Sequence, residues 1–314
     1  MRIGVDIGGM SIKVGLVDDD KQIVAKKVIP TQSDELSAEE VVENIAEAVL
    51  ELLKENNLTA EQCESLGVGC PGTVDGRKGV VLYSNNIRWE DVPMLDILRA
   101  KISVPMYLAN DADAAALAEV IAGAAKNKEN AVLLTLGTGV GGGVIINGKI
   151  FTGPLRGGCE LGHTVIKHGG KPCNCGRSGC FEAYASATAL MELAREVAAA
   201  HPDSLMNRMS GGDASKIDGR IIFDAEKQGD AAAKMVVGQY EEDLSVGITN
   251  MINIFRPEVI ILGGGVSAQE KYLTDALQEK VNNMCYGGSV CEVAQIVTSE
   301  LKNDAGIIGA AYLS

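Results

Sequence analysis

Residues 131–146 read AVLLTLGTGVGGGVII, and the order of their parts decides which nucleotide fold is available. Apolar residues Ala131 to Leu136 form a strand, Gly137-Thr138-Gly139-Val140-Gly141-Gly142-Gly143 form a turn made almost wholly of backbone, and Val144 to Ile146 return as a second strand. Amides with no Cβ beside them let an anion approach, and successive oriented N–H groups form a nest for phosphate. The run lacks the Gly-Lys-Ser/Thr of a P-loop. A strand follows it rather than a helix, so the Rossmann fingerprint is excluded too. A β-hairpin that binds phosphate remains.

The arrangement occurs once more at the N-terminus. Residues 2–7 (RIGVDI) form a buried strand, Gly8-Gly9 the turn, and Ile12 to Val17 the return strand, with Gln22 to Ile29 a third. By itself Gly8-Gly9 reads as an ordinary tight turn. Asp6 before it and Lys13 after it favour an anion site. Two such hairpins point to an internal duplication, with two similar domains each supplying one phosphate-facing turn.

A third stretch, residues 159–182, reads CELGHTVIKHGGKPCNCGRSGCFE. His163, Cys173, Cys175 and Cys180 are metal-ligand types, separated by glycines and by Lys171-Pro172, which mark loop rather than helix. Three thiols and an imidazole in so short a segment suit a closed tetrahedral zinc site. Free cysteines are often buried as small hydrophobes, but Asn174, Gly176 and Arg177 offer these thiols no apolar wall. Four protein ligands leave no open position for chemistry. The metal is therefore expected to be structural, shaping a wall that presents Glu160 and Glu182.

The other segments carry packing signals and pocket edges. Ser37 and Glu40 form a capping box before a helix whose apolar stripe runs Val41, Val42, Ile45, Val49, Leu52, Leu53. Strands Leu66–Cys70 and Val80–Tyr83 lead into the polar loops at Gly72 and at Asn85 to Trp89, including Asn86, which are expected at one edge of a single sheet, and open α/β sheets bind ligands at such strand ends. The strand Val104 to Ala109 ends in Asn110-Asp111 before an alanine-rich helix, so Asp111 is either an N-cap, a poised carboxylate, or both. Beyond the knuckle the pattern is mostly helical: 186–200, 218–227, 230–255 and 270–282, with strands 259–262 and 292–297. Gly263-Gly264-Gly265 could admit a flat ring or make a packing turn. The last helix, Ala305 to Leu313, is rich in small residues and is expected to pack closely.

Composition bounds the class. The chain has 314 residues, 46% hydrophobic, and 28 basic against 42 acidic residues give a net charge of -14. Such a surface repels nucleic acid and anionic membrane. No apolar run is long enough to span a bilayer and no signal peptide is recognisable. A cytoplasmic protein with reduced thiols is expected.

Together the glycine hairpins, Asn110-Asp111, Glu160-Leu161-Gly162-His163 and the segment Cys173 to Glu182 resemble the ROK family of sugar kinases and sugar-sensing repressors, within the actin and hexokinase superfamily. The resemblance implies an α/β fold of two actin-like (ribonuclease H-like) domains flanking a cleft, with the zinc knuckle 163–180 inserted in the second. The domains would be 1–115, completed by the C-terminal helix 304–314, and 116–303. It implies ATP-dependent phosphorylation of the 6-hydroxyl of a hexose, with glucose the expected acceptor and N-acetylmannosamine, N-acetylglucosamine or fructose as alternatives. A non-catalytic sugar sensor is the reading from another class. By the same resemblance Asp111 is the general base, and Asn110, Glu160, His163 and Glu182 hold the sugar, with Gly72 and Asn86 at the rim. Asp6, Gly8, Gly9, Met10, Ser11 and Lys13 form the first phosphate loop, and Gly137, Thr138, Gly139, Gly141 and Gly142 the second. Gly263, Gly264 and Gly265 match the adenosine segment. ATP with Mg²⁺, a structural Zn²⁺ and a homodimer complete the expectation. One departure stands out: Met10 occupies a position where the family usually has Thr.

Overall fold

The computed structural model describes residues 1–154 and 157–314. The chain opens with β1 (Arg2–Ile7), β2 (Ser11–Val17) and β3 (Ile23–Pro30), an antiparallel set in which Asp6 faces Lys13. Residues of β3 alternate between half-buried and exposed, as an edge strand should. Helix α1 (Ala38–Glu55) starts with the expected capping box: the Ser37 amide donates to Glu40 Oε2 at 2.8 Å, and the Glu40 amide to Ser37 Oγ at 3.3 Å. Its whole predicted apolar stripe is buried. Such a cap contributes about 1 kcal/mol.

Next come β4 (Leu66–Cys70), β5 (Thr73–Asp75), β6 (Val80–Ser84), β7 (Trp89–Val92), α2 (Met94–Arg99), β8 (Met106–Asn110) and α3 (Asp111–Ala122). Strands β1, β4 and β8 are parallel, giving a sheet of order β3-β2-β1-β4-β8. The structure corrects the expectation that the loops after β4 and β6 share one sheet edge. Strand β6 belongs to a separate antiparallel sheet of order β5-β6-β7. Trp89, expected in a loop, is a buried residue of β7.

The second five-stranded sheet contains β9 (Ala131–Leu136), β10 (Val140–Ile146), β11 (Lys149–Ile150), β12 (Val259–Gly263) and β13 (Gln295–Thr298). Between β11 and β12 lie α4 (Glu182–Ala185), α5 (Ala187–Ala200), α6 (Leu205–Met209), α7 (Gly219–Lys227) and α8 (Ala231–Phe255), while α9 (Lys271–Met284) joins β12 to β13. The order is β11-β10-β9-β12-β13. Counting strands within each sheet, both run third, second, first, fourth, fifth. The duplicated glycine hairpins thus sit in duplicated sheets.

Two compact units result, one of residues 1–133, 143–159 and 300–314 and the other of residues 134–142 and 160–299. In the first, α10 (Ala305–Ala311) packs against its own sheet so closely that a methyl group at Gly4 or Gly67 would collide with the carbonyls of Ile307 and Ala310. The expected close packing of the helix through its own small residues is seen against α3, where a methyl group at Gly309 would collide with the Ala114 carbonyl. Glu119, fully buried on α3, accepts from the amides of Ala124, Glu300 and Leu301 at 2.8, 3.2 and 3.0 Å, tying the approach to α10 in place. In the second unit α8 is the spine. Its buried Tyr240 donates to the Ala185 carbonyl at 2.7 Å, and Gly247 leaves room for the ring of Phe181. No described helix is long and apolar enough to cross a membrane.

Candidate active site

The first unit supplies the N-terminal hairpin and the end of β8. The β1–β2 register brings Lys13 Nζ to 2.8 Å from Asp6 Oδ2, with both side chains largely shielded. Lys13 is thus engaged by the carboxylate beside the turn. The tip is tight: the Gly8 amide donates to the Ser11 carbonyl at 2.9 Å, and Met10 stands 90% exposed. Gly306 of α10 lies against the Asp6 carboxylate, where a larger residue would not fit.

At the end of β8 the structure corrects the expected cap. Asn110, with extended backbone, caps α3, its Oδ1 accepting from the Ala112 and Asp113 amides at 2.8 and 3.2 Å. Asp111 is already the first helical residue, which an N-cap cannot be. Its Oδ1 shares the Ala112 amide at 3.0 Å. Asn110 Nδ2 donates to the Gly72 carbonyl at 3.0 Å, so these two predicted residues do come together. Cys70 is buried beside them, and burial first, then the Asp111 charge, pushes its thiol well above the usual range. Asn86 lies exposed on the turn between β6 and β7.

The second unit holds the other hairpin and the cysteine ribbon. His163, at the end of a single helical turn from Leu161, places Nδ1 at 3.6 Å from Cys173 Sγ, and Cys175 and Cys180 Sγ are also 3.6 Å apart. One ligand atom from each of these four residues lies within 4.8 Å of the others. Bridges Val165–Cys180 and Pro172–Ser178 fold the ribbon back on itself, and the Cys173 amide donates to the Arg177 carbonyl at 2.8 Å. Burial pushes the Cys173 thiol up to about 12, while the Arg177 amide draws Cys175 down. Three sulfurs and one imidazole nitrogen at such separations fit a tetrahedral thiophilic cation. They could hold a metal, and its place would be structural.

Glu182 joins this ribbon to the hairpin. Its Oε2 accepts from the Val140 amide at 3.0 Å, and Oε1 lies 3.7 Å from Cys173 Sγ. Glu160 is exposed immediately before the Leu161–His163 turn. Gly162 fits beneath the Val140 carbonyl and Gly142 beneath Leu161, so the ELGH segment lies directly on the hairpin. Gly263 ends β12 and Gly264 leads into a short 3-10 helix (Gly265–Gln269), with Ser267 Oγ donating to the Gly264 carbonyl at 2.7 Å.

Sequence reasoning missed two residues around the tips. Thr31 Oγ1 donates to the Gly8 carbonyl at 2.6 Å, and Thr188 Oγ1 to the Thr138 carbonyl at 2.9 Å. Neither stands in a motif that spacing alone would single out.

Comparison with known proteins places the arrangement. The chain is 40% identical over 312 residues to the glucokinase of Thermotoga maritima, covering 99% of this chain and 96% of that one. The glucokinase of Halalkalibacterium halodurans is 35% identical, with coverages of 99% and 94%. Among solved structures, a ROK family glucokinase from Streptomyces griseus in complex with glucose and AMPPNP is 33% identical, with a TM-score of 0.82 over 99% of this chain and 97% of that one. A ROK hexokinase from Thermus thermophilus is 34% identical, with a TM-score of 0.81 over 99% and 96%. The expected α/β architecture of the actin and hexokinase superfamily is therefore the observed one. The model of the ROK family matches residues 2–314, and the chain belongs to that family.

Proposed function

We propose that the chain is an ATP-dependent glucokinase that phosphorylates the 6-hydroxyl of glucose. The observation that carries this reading is the similarity to glucokinases along essentially the whole chain, at 40% identity for that of Thermotoga maritima. Residue chemistry supports it. Phosphoryl transfer asks a protein mainly to position its reactants and stabilise charge. Those glycine amides of the two turns that bond to no described residue, Gly9 and Gly139 among them, would hold the ATP phosphates, with residues 263–265 beside the adenosine, and Mg²⁺ would enter with the nucleotide.

Asp111 would take the proton from the attacking hydroxyl. Asn110, Glu160, His163 and Glu182 would hold the other hydroxyls, with Gly72 and Asn86 at the rim. His163 turns Nδ1 toward Cys173, which leaves Nε2 to meet the sugar. Zinc is the metal we assign to His163, Cys173, Cys175 and Cys180, where it would cross-link the ribbon. We further propose a homodimer working in a reducing cytoplasm, consistent with eight free cysteines.

The test is ATP-dependent kcat/KM, with Mg²⁺, across glucose, mannose, fructose, allose, N-acetylglucosamine and N-acetylmannosamine. A clear preference for glucose is expected. Preference for an acetamido sugar would replace the acceptor but keep the mechanism, and sugar binding without turnover would make the protein a sensor.

A further inference from the structure

The two glycine hairpins are held by the same device, although nothing in their sequences announces it. In the first, Thr31 sits buried just after β3, its hydroxyl on the Gly8 carbonyl at 2.6 Å and its amide on the Met10 carbonyl at 3.1 Å. In the second, Thr188 sits in the first turn of α5, its hydroxyl on the Thr138 carbonyl at 2.9 Å, while the neighbouring Ala187 amide takes the Gly137 carbonyl at 2.8 Å. Thus each tip has one carbonyl held by a threonine hydroxyl and another by a backbone amide.

A trans peptide unit is planar, with its C=O and N–H pointing opposite ways. Fixing a carbonyl therefore fixes the next amide. The Gly8 carbonyl sets the direction of Gly9 N–H, and the Thr138 carbonyl sets that of Gly139 N–H. In both cases the following residue is glycine, whose free backbone makes that peptide the easiest in the tip to flip. Among the described residues neither Gly9 N–H nor Gly139 N–H donates to a protein acceptor. Both are turned away from the threonine that anchors them.

We propose that Thr31 and Thr188 are the positioning residues of the two phosphate hairpins, each holding one peptide so that the following glycine amide presents its N–H to a nucleotide phosphate. The inference rests on the kinase reading. It predicts a specific defect when the hydroxyl is lost and the shape retained.

The test is calorimetric titration of full-length wild type, Thr31→Val, Thr188→Val and the serine variants of both, with MgAMPPNP and separately with glucose. Each valine variant should weaken nucleotide binding about tenfold, the order expected for one hydrogen bond, with glucose affinity within about twofold of wild type. Each serine variant should restore nucleotide binding, because serine keeps the donor. Valine variants that bind nucleotide like wild type would overturn the proposal, as would equal losses for nucleotide and glucose. Thr188 is partly exposed, so its pair of variants decides the matter even if Thr31→Val fails to fold. Wild-type protein that binds no nucleotide would instead remove the kinase reading, and this inference with it.

Discussion

The first glycine hairpin stands open and the second is enclosed. Around the first tip Met10 is 90% exposed, and Thr31 alone secures two of the carbonyls. Around the second, Thr188 and Ala187 hold two carbonyls, Glu182 takes the Val140 amide, and the ELGH turn lies against Val140 and Gly142. Glu182 in turn lies against Cys173 of the Cys/His cluster. One strand-turn-strand design has two kinds of support, one depending on a single threonine and the other on a ribbon that a metal would close. Disturbances at the ribbon should therefore reach the second tip and spare the first.

The largest effect should come from a change that leaves both tips untouched. Asp111→Asn is expected to lower kcat by about 10² to 10⁴, the usual contribution of a general base, with glucose and nucleotide affinities near wild type. Steady-state kinetics with separate binding titrations would check it, and near-normal turnover would remove Asp111 from the role.

Metal removal should split the hairpins. Chelation under reducing conditions is expected to lower the Tm and weaken glucose binding by about tenfold or more, since ligands and their supporting residues act as a unit. Hydrogen exchange should speed up at residues 137–142 and stay unchanged at residues 8–11. Equal acceleration at both would end the distinction drawn above. Protein free of detectable metal that phosphorylates normally would end the structural role of the cluster.

The smallest effect probes the open tip. Met10→Thr introduces a hydroxyl at the exposed tip, and kcat/KM for ATP should rise by about threefold to tenfold, the range of one modest hydrogen bond. No change would mean that the backbone amides of this tip need no side-chain help.

How much of this was legible depended on whether the signal was local. His163, Cys173, Cys175 and Cys180 could be read as a cluster because they share one short segment, and the glycine tips because an exposed backbone requires that composition. Asp111 was read as the candidate cap because Asp favours that position, but Asn favours it equally and only the backbone angles assign it to Asn110. The β5-β6-β7 sheet was missed because its strands are as short as Thr73–Asp75, too short for alternation to stand out. Thr31 and Thr188 were invisible for another reason. A hydroxyl aimed at a distant carbonyl has no periodicity and no spacing.

The seating of α10 on Gly4 and Gly67 bears on the order of folding. A chain emerging from the ribosome presents β1 and β4 long before residues 305–311 exist, so the hollow left by those glycines faces solvent throughout most of synthesis. Contacts between sequence-distant segments are slow to form because the intervening chain must first be ordered. The first unit therefore completes its sheet cover only when α10 arrives, and Asp6, against which Gly306 rests, gains its final surroundings at that same late moment. The glycine hairpin that follows β1 is thus finished by a helix about three hundred residues further along, so a nascent chain lacks its final Asp6 surroundings until residues 305–311 have been made.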